Sequence, residues 1–181
     1  MTATIFRGAG NVKGIDISPV AISRAINLSL PNASFRASDF LNISFAGYDV
    51  IAAIECLYYL SKNEQETFFK KLASEHAGKI FVLSGPIIGS NEYRTYFTDA
   101  SIRQTFARHG LSLIADRNLN AYRKAGVVAT IAAAFCRLPF GSAVLDILPD
   151  RYVYQRCYVA ECAGSHAFRP VTSTCPEAGR L

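Results

Sequence analysis

The sequence predicts an α/β protein with a mostly parallel sheet and helices on both of its faces. Three observations support this prediction. Short apolar runs of strand length alternate along the chain with amphipathic segments of helix length. The run 48–54 is apolar almost throughout, which is typical of a fully buried parallel strand. The late segment 152–161 instead alternates polar and apolar residues, which is typical of an antiparallel edge or closing strand.

The composition indicates one globular domain. The chain has 181 residues, of which 50% are hydrophobic and only 18% are charged. This length can bury a sizeable core, and the low charge argues against disorder. We therefore expect a single domain over residues 1–162. The tail 163–181 carries two prolines and is expected to be disordered.

Charge and hydropathy restrict the classes of partner. The formal net charge is +5, but the basic residues are scattered, which favours a solvated basic face over a nucleic-acid surface. The apolar segment 125–148 contains a charge-free stretch that is too short to span a bilayer, so we expect a buried helix or a flap and no stable membrane insertion. Five cysteines show no metal-ligand spacing with the three histidines. Reduced thiols in a cytoplasmic protein, with no metal, are the expectation.

The first predicted unit is a strand, a helix and a second strand. Residues 12–17 form the strand. Ser18 is suited to cap the helix and Pro19 to its first position. The next strand, 33–37, ends at Ser38-Asp39-Phe40.

The later predicted elements follow the same alternation. After the strand 48–54, Ser61 and Glu64 form a capping box that begins a helix. A strand at 79–83 leads into a long loop formed by Ser84-Gly85-Pro86 and the polar segment 89–97. The remaining predictions are a helix capped by Thr98 or Asp99, a strand at 111–115, and buried helix faces formed by Phe68, Phe69, Leu72, Ala73, Ile102 and Phe106.

Carboxylates at strand ends are the candidate binding residues. The segment Gly14-Ile-Asp-Ile-Ser18 places Asp16 where a buried strand meets a helix. In open α/β sheets the carboxyl ends of the strands form the ligand crevice, and a carboxylate there can accept from both hydroxyls of a ribose. The alternatives are a solvated edge residue for Asp16, a helix cap for Asp39 and core packing for Phe40.

Three segments carry a family resemblance in their order and spacing. They are Gly14-Ile-Asp-Ile-Ser18, Ala37-Ser-Asp-Phe40, and Tyr48-Asp-Val-Ile51 leading into Glu55-Cys-Leu-Tyr-Tyr-Leu60. Together they resemble the class I S-adenosylmethionine-dependent methyltransferases, over about residues 10–120. The last segment is similar to small-molecule methyltransferases of the nodulation-protein S type. The resemblance implies a Rossmann-like sheet, S-adenosylmethionine as cofactor and methyl transfer to a small molecule.

The same resemblance implies roles for individual residues. Asp16 would hold the ribose hydroxyls, and Ile17 would pack against one face of the adenine. Asp39 would accept from the adenine amino group, with Phe40 beside the ring. Glu55 would lie near the methionine part of the cofactor. No catalytic residue follows from the resemblance.

The chain departs from this family at its beginning. A complete member has a strand, a glycine-rich loop and a helix before the segment that corresponds to Gly14. Only about ten residues precede that point here, and a parallel crossover needs a dozen or more. We therefore expect an N-terminally incomplete domain. The alternative is a truncated, non-catalytic methyltransferase remnant. A nicotinamide-dependent oxidoreductase, which also places an acidic residue after its second strand, ranks behind both.

Overall fold

The computed structural model describes residues 8–89, 93–121, 126–127, 130–131, 134 and 145–163. Their strands are β1 (Val12–Asp16), β2 (Ala33–Ala37), β3 (Val50–Ile54), β4 (Ile80–Pro86), β5 (Leu111–Ala121) and β6 (Val153–Cys162). Their helices are α1 (Pro19–Ile26), α2 (Lys62–Glu75) and α3 (Asp99–Arg108). The predictions for 125–148 and for the tail after 163 lie almost wholly outside the described residues.

The described strands form two sheets. In the first, β1 and β2 are parallel, with Val12 opposite Ala33 and Asp16 opposite Ala37. The second has the order β3-β4-β6-β5. In it β3 and β4 are parallel, while β6 is antiparallel to both of its neighbours. The predicted α/β class and the antiparallel last strand are confirmed, and β6 is an interior strand because it pairs on both sides.

The helices begin where the sequence indicates. The Ser18 hydroxyl accepts from the Ala21 backbone N–H at 3.3 Å. Ser61 and Glu64 form the predicted capping box of α2. Of the two candidates for α3, Thr98 is the cap, and its partner in the capping box is Ser101. These side chains satisfy backbone donors that have no partner within the helix.

The core lies behind the four-stranded sheet. Its centre is Phe69, which is fully buried and packs edge-on against Phe68, Phe81 and Phe106 at 5.4 to 6.1 Å between ring centroids. Phe106 in turn contacts the ring of Tyr158 on β6. Edge-to-face packing of this kind adds to the stabilisation that burial provides. The aromatic cluster therefore joins α2, α3, β4 and β6.

Strand β3 is more exposed than the sequence predicts. Val50 is 47% exposed, and Ala52 on the same face is also exposed, so the prediction of a fully buried strand is wrong. Within the described residues β3 pairs only with β4, and β1 pairs only with β2. Solvent therefore reaches the face of β3 that carries Val50 and Ala52. Among these same residues, no helix combines the length and the apolar character needed to cross a membrane.

Candidate functional site

The predicted site residues follow the carboxyl ends of the parallel strands. Asp16 is the last residue of β1, Asp39 comes two residues after β2, and Glu55 follows β3. Parallel strands end at the same edge of a sheet. The residues that follow β1 and β2 therefore lie at one edge of the first sheet, and those that follow β3 and β4 lie at one edge of the second. The fold therefore positions these three carboxylates where a ligand crevice is expected.

Asp16 and Ile17 present an exposed polar and an exposed apolar side chain next to each other. The Asp16 carboxylate accepts from the Ser18 backbone N–H at 2.8 Å, which orients it at the start of α1. Its backbone carbonyl accepts from the Ser38 N–H at 3.0 Å, so the turn that carries Asp39 lies beside it. The Ile17 side chain is 78% exposed, which is unusual for a residue of its size. A carboxylate next to an exposed apolar side chain could accept from the hydroxyls of a ribose and pack against the face of the attached ring.

Asp39 and Phe40 have local structural partners. The Asp39 carboxylate accepts from the Leu41 backbone N–H at 2.9 Å and so caps the short 3₁₀ turn Phe40–Asn42. The Phe40 ring packs edge-on against Phe68 at 5.7 Å. The helix cap and the core packing that the sequence left open are therefore both present. Contacts of Asp39 and Phe40 with an adenine stay predictions.

Glu55 adopts a conformation that a side chain rarely takes. Its φ is 55°, in the left-handed region, where a Cβ atom is strained by about 1–2 kcal/mol. Two hydrogen bonds with Ser84 of β4 hold it there. The Glu55 N–H donates to the Ser84 carbonyl at 3.0 Å, and its carboxylate accepts from the Ser84 hydroxyl at 3.0 Å. Strained residues of this kind concentrate at functional sites.

The Cys56 thiol is affected by charged residues of both sheets. Burial raises the pKa of its thiol to about 12, and the nearby charges of Glu55 and Asp16 add to the effect. The charge of Asp16 thus acts on the Cys56 thiol across the gap between the two sheets. With this pKa the thiol stays protonated at neutral pH, so Cys56 is not a nucleophile.

Three tyrosines and an arginine form a cluster just beyond Glu55. Tyr58 stacks on Tyr96 with ring centroids 5.7 Å apart and contacts Tyr59 at 4.6 Å. The Arg94 guanidinium lies over both Tyr59, at 4.8 Å, and Tyr58, at 5.5 Å. Burial and a hydrogen bond with Tyr59 raise the pKa of Tyr58, so its phenol is neutral and a poor base. Tyr58 and Tyr59 belong to the segment Glu55-Cys-Leu-Tyr-Tyr-Leu60 that carries the family resemblance, whereas Arg94 lies outside it.

Gln65 is a further residue that the sequence reasoning missed. Its side-chain amide is buried and donates to the Leu57 carbonyl at 3.0 Å and to the Thr95 carbonyl at 2.9 Å. The amide thereby joins the turn Leu57–Tyr59 to the segment 94–97. The signal was available, because Gln65 falls on the same face of α2 as Phe68, Phe69 and Leu72. A polar residue on a buried stripe needs a partner.

One cavity borders this region, and a larger cleft lies elsewhere on the four-stranded sheet. The first, of about 10 Å³, lies beneath Tyr58 and Gly85 and is close to the size of one water molecule. The second is a polar cleft of about 420 Å³ near α3, β5 and β6. Its charged side chains are largely paired with each other, as in Arg156 with Asp99 and Asp150. Within the described part of the chain, no cluster of metal-binding side chains is present.

Comparison with solved structures identifies the fold. Magnesium protoporphyrin IX methyltransferase of Synechocystis, solved with S-adenosylmethionine, matches with a TM-score of 0.56 at 17% identity over 88% of this chain and 62% of that one. The 1,6-didemethyltoxoflavin-N1-methyltransferase of Burkholderia thailandensis matches with a TM-score of 0.59 at 12% identity over 90% and 65%. The chain has a methyltransferase fold. It spans about two thirds of the length of these proteins.

The methyltransferase fold does not by itself decide the reaction. The [4+2]-cyclase SpnF matches with a TM-score of 0.60 at 12% identity, over 90% of this chain and 70% of the cyclase. No protein-family model and no curated protein matches the sequence. Activity must therefore be argued from the residues of the site.

Proposed function

We propose that this protein binds S-adenosylmethionine and transfers its methyl group to a small molecule. The observation that carries the proposal is the exposed Asp16 and Ile17 pair at the carboxyl end of β1, together with the strained Glu55 at the carboxyl end of β3. Asp16 would accept from the ribose hydroxyls and Ile17 would support the adenine. Solved neighbours with this fold bind S-adenosylmethionine or its demethylated product, which supports the choice of cofactor.

The residues present suit this cofactor unequally. Asp16 and Ile17 offer an acceptor and an apolar surface, and Glu55 can face the positively charged methionine part. The two Asp39 carboxylate oxygens accept from the Leu41 backbone N–H and from the Asn42 side-chain amide, and the Phe40 ring packs against Phe68 of the core. The cofactor supplies a methyl group on a positively charged sulfur. The chain's own part is then to orient an acceptor atom and to exclude water, which is the main requirement of such a transfer.

The site also bears on how the acceptor becomes a nucleophile. A base is needed only when the acceptor must lose a proton first. Cys56 stays a neutral thiol and Tyr58 a neutral phenol. Glu55 is therefore the best placed proton acceptor among the residues at the end of β3. Free thiols at Cys56, Cys157 and Cys162 are in keeping with a reducing, cytoplasmic location.

Calorimetry with S-adenosylhomocysteine, the unreactive product, tests the proposal. We expect binding to the wild-type protein and a loss of about 1–3 kcal/mol in Asp16→Ala, because the ribose hydroxyls lose their acceptor. Asp49→Ala is the matched control. Asp49 is also exposed, but it precedes β3 at the opposite end of the sheet. Absence of binding to the wild-type chain would favour the non-catalytic alternative, and equal losses in both variants would remove Asp16 from the site.

A further inference from the structure

The cluster of Tyr58, Tyr59, Arg94 and Tyr96 has the features of a small-molecule binding surface. Its cation is exposed and lies against two aromatic faces. Within the described residues, Arg94 forms no ion pair with a carboxylate. The contrast is with Arg103, which pairs with both Asp99 and Asp116, and with the buried Arg156. Arg94 is thus held in place by aromatic rings while its charge remains available.

The cluster is held rigidly by the fold. The Thr95 N–H donates to the Tyr58 carbonyl at 2.9 Å, and the buried Gln65 amide bridges the two segments that carry the rings. The Tyr96 ring stacks on Tyr58, the ring over which the Arg94 guanidinium lies. Side chains fixed in this way lose little conformational entropy when a ligand binds. The surface is therefore preorganised rather than a chance meeting of mobile side chains.

The chemistry of the cluster selects a class of ligand. A guanidinium binds a carboxylate through two parallel hydrogen bonds, and the tyrosine faces favour a flat ring. The cavity below Tyr58, at about 10 Å³, is too small for any acceptor, so a ligand must lie on the exposed side. Tyr59 is 59% exposed and offers its ring to that side.

We propose that Tyr59 and Arg94 bind the methyl acceptor and that this acceptor is a planar aromatic or conjugated acid. The Arg94 guanidinium pairs with its carboxylate, and the Tyr59 ring stacks on its plane. The cluster begins three residues after Glu55 and so lies next to the end of β3. Its role as an acceptor site rests on the methyl-transfer function proposed above.

Binding of three related probes tests this assignment. The probes are 2-naphthoate, which is planar and anionic; 2-naphthamide, which is planar and neutral; and decahydro-2-naphthoate, which is anionic but not planar. Affinities are measured by ligand-observed NMR on the full chain, without cofactor. We expect 2-naphthoate to bind at least about tenfold more tightly than either of the others, because only it satisfies both the charge and the stacking requirement. No binding of 2-naphthoate, or equal binding of all three, would overturn the assignment.

Variants locate the binding on the cluster. Arg94→Gln should weaken 2-naphthoate binding about tenfold, and Tyr59→Leu should weaken it while Tyr59→Phe retains it. Arg151→Gln is the control, since Arg151 also lies over a tyrosine, Tyr152, at 4.8 Å but belongs to another turn. Equal losses in Arg94→Gln and Arg151→Gln would contradict the assignment.

A second ligand separates this inference from the proposed function. Arg94→Gln should keep its affinity for S-adenosylhomocysteine, whereas Asp16→Ala should keep its affinity for 2-naphthoate. If the wild-type protein binds 2-naphthoate through Arg94 but does not bind S-adenosylhomocysteine, the planar-acid site is supported and the methyl-transfer function is contradicted. A chain that binds S-adenosylhomocysteine but not 2-naphthoate retains the function and loses this acceptor class.

Discussion

The two sheets differ in how much core supports them. Every member of the main buried cluster lies at or after Phe45, behind the four-stranded sheet. In residues 8–44, by contrast, only Ile22 and Leu30 are buried hydrophobic residues. Ile17, Val20, Ile26 and Leu28 in the same region are each 45% exposed or more. The β1–β2 sheet therefore has little apolar burial of its own.

This contrast separates stability from the proposed recognition. Apolar burial is the main favourable term in folding, so the four-stranded sheet accounts for most of the stability of the described chain. A two-stranded sheet with one short helix is marginal by itself. Yet Asp16 and Ile17, the residues best suited to a nucleoside, lie on that smaller sheet. The element that would hold the nucleoside part of the cofactor thus has the least packing behind it, whereas Glu55 follows β3 of the larger sheet.

The largest expected effect comes from Phe69→Ala. The substitution removes a fully buried ring that contacts Phe68, Phe81 and Phe106. We expect the free energy of unfolding, measured in urea, to fall by about 3–5 kcal/mol. Ile22→Ala, in α1, should instead leave the global midpoint nearly unchanged. Its effect should appear as faster hydrogen exchange confined to residues 8–39, because weakly packed regions open locally.

The opposite result would show that the two sheets unfold as one cooperative unit. If Ile22→Ala lowers the urea midpoint as strongly as Phe69→Ala does, the β1–β2 sheet unfolds cooperatively with the larger one. Equal exchange protection of β1 and β4 amides in the wild-type protein would lead to the same conclusion.

Acid sensitivity is the second expected difference, and it should arise in the larger sheet. Asp99 accepts from Arg103 at 2.8 Å, from Arg156 at 2.5 Å and from the Tyr158 hydroxyl at 2.9 Å. Burial by itself would raise the pKa of Asp99, but these hydrogen bonds outweigh it and lower the pKa below the ordinary 3.8. A carboxyl whose pKa is lowered by folding stabilises the fold fully at pH values above its pKa in the unfolded chain. That contribution is lost as the pH falls through its pKa in the folded chain.

The free energy of unfolding should therefore decrease as the pH falls below about 4. Glu75 contributes in the same direction, because the Phe45 backbone N–H lowers its pKa. Urea unfolding between pH 2 and pH 6 measures the slope, which should be shallower in Asp99→Asn since that side chain does not titrate. A slope unchanged by Asp99→Asn would place the acid sensitivity elsewhere.

Local features of the fold were predictable from the sequence. The Ser61 and Glu64 capping box and the buried Phe68 and Phe69 depend on neighbours within one or two helical turns, so their spacing identifies them. The order of the strands and the exposure of Val50 depend on which distant parts of the chain pack beside β3. No local sequence pattern records such contacts. The same limit explains why an apolar run alone suggested full burial.

The site divides in the same way. Asp16 was identifiable because it is a carboxylate at the junction of a predicted strand and a helix, although no residue of that strand is buried. The partners of Asp39 and Phe40 become visible only in the folded chain. Gln65 lies about 30 residues from its partner Thr95 in the sequence, and Arg94 is similarly far from its partner Tyr59. The position of Gln65 on the buried face of α2 indicates that it needs a partner, but the identity of that partner, like that of Arg94, depends on contacts that no local pattern records.

The smallest expected effect concerns the strain at Glu55, where the larger sheet meets the proposed site. Glu55→Gly and Glu55→Ala both remove the carboxylate and its hydrogen bond with Ser84, so their difference isolates the backbone. At a φ of 55° only glycine is unstrained, and we expect Glu55→Gly to be more stable than Glu55→Ala by about 1 kcal/mol in urea unfolding. Gly85, whose added Cβ would meet only Tyr58 at 3.8 Å, provides the control, because Gly85→Ala meets no such strain. Equal stabilities of the two Glu55 variants would mean that the backbone relaxes to an ordinary conformation, and the larger sheet would then hold no strained residue at its binding edge.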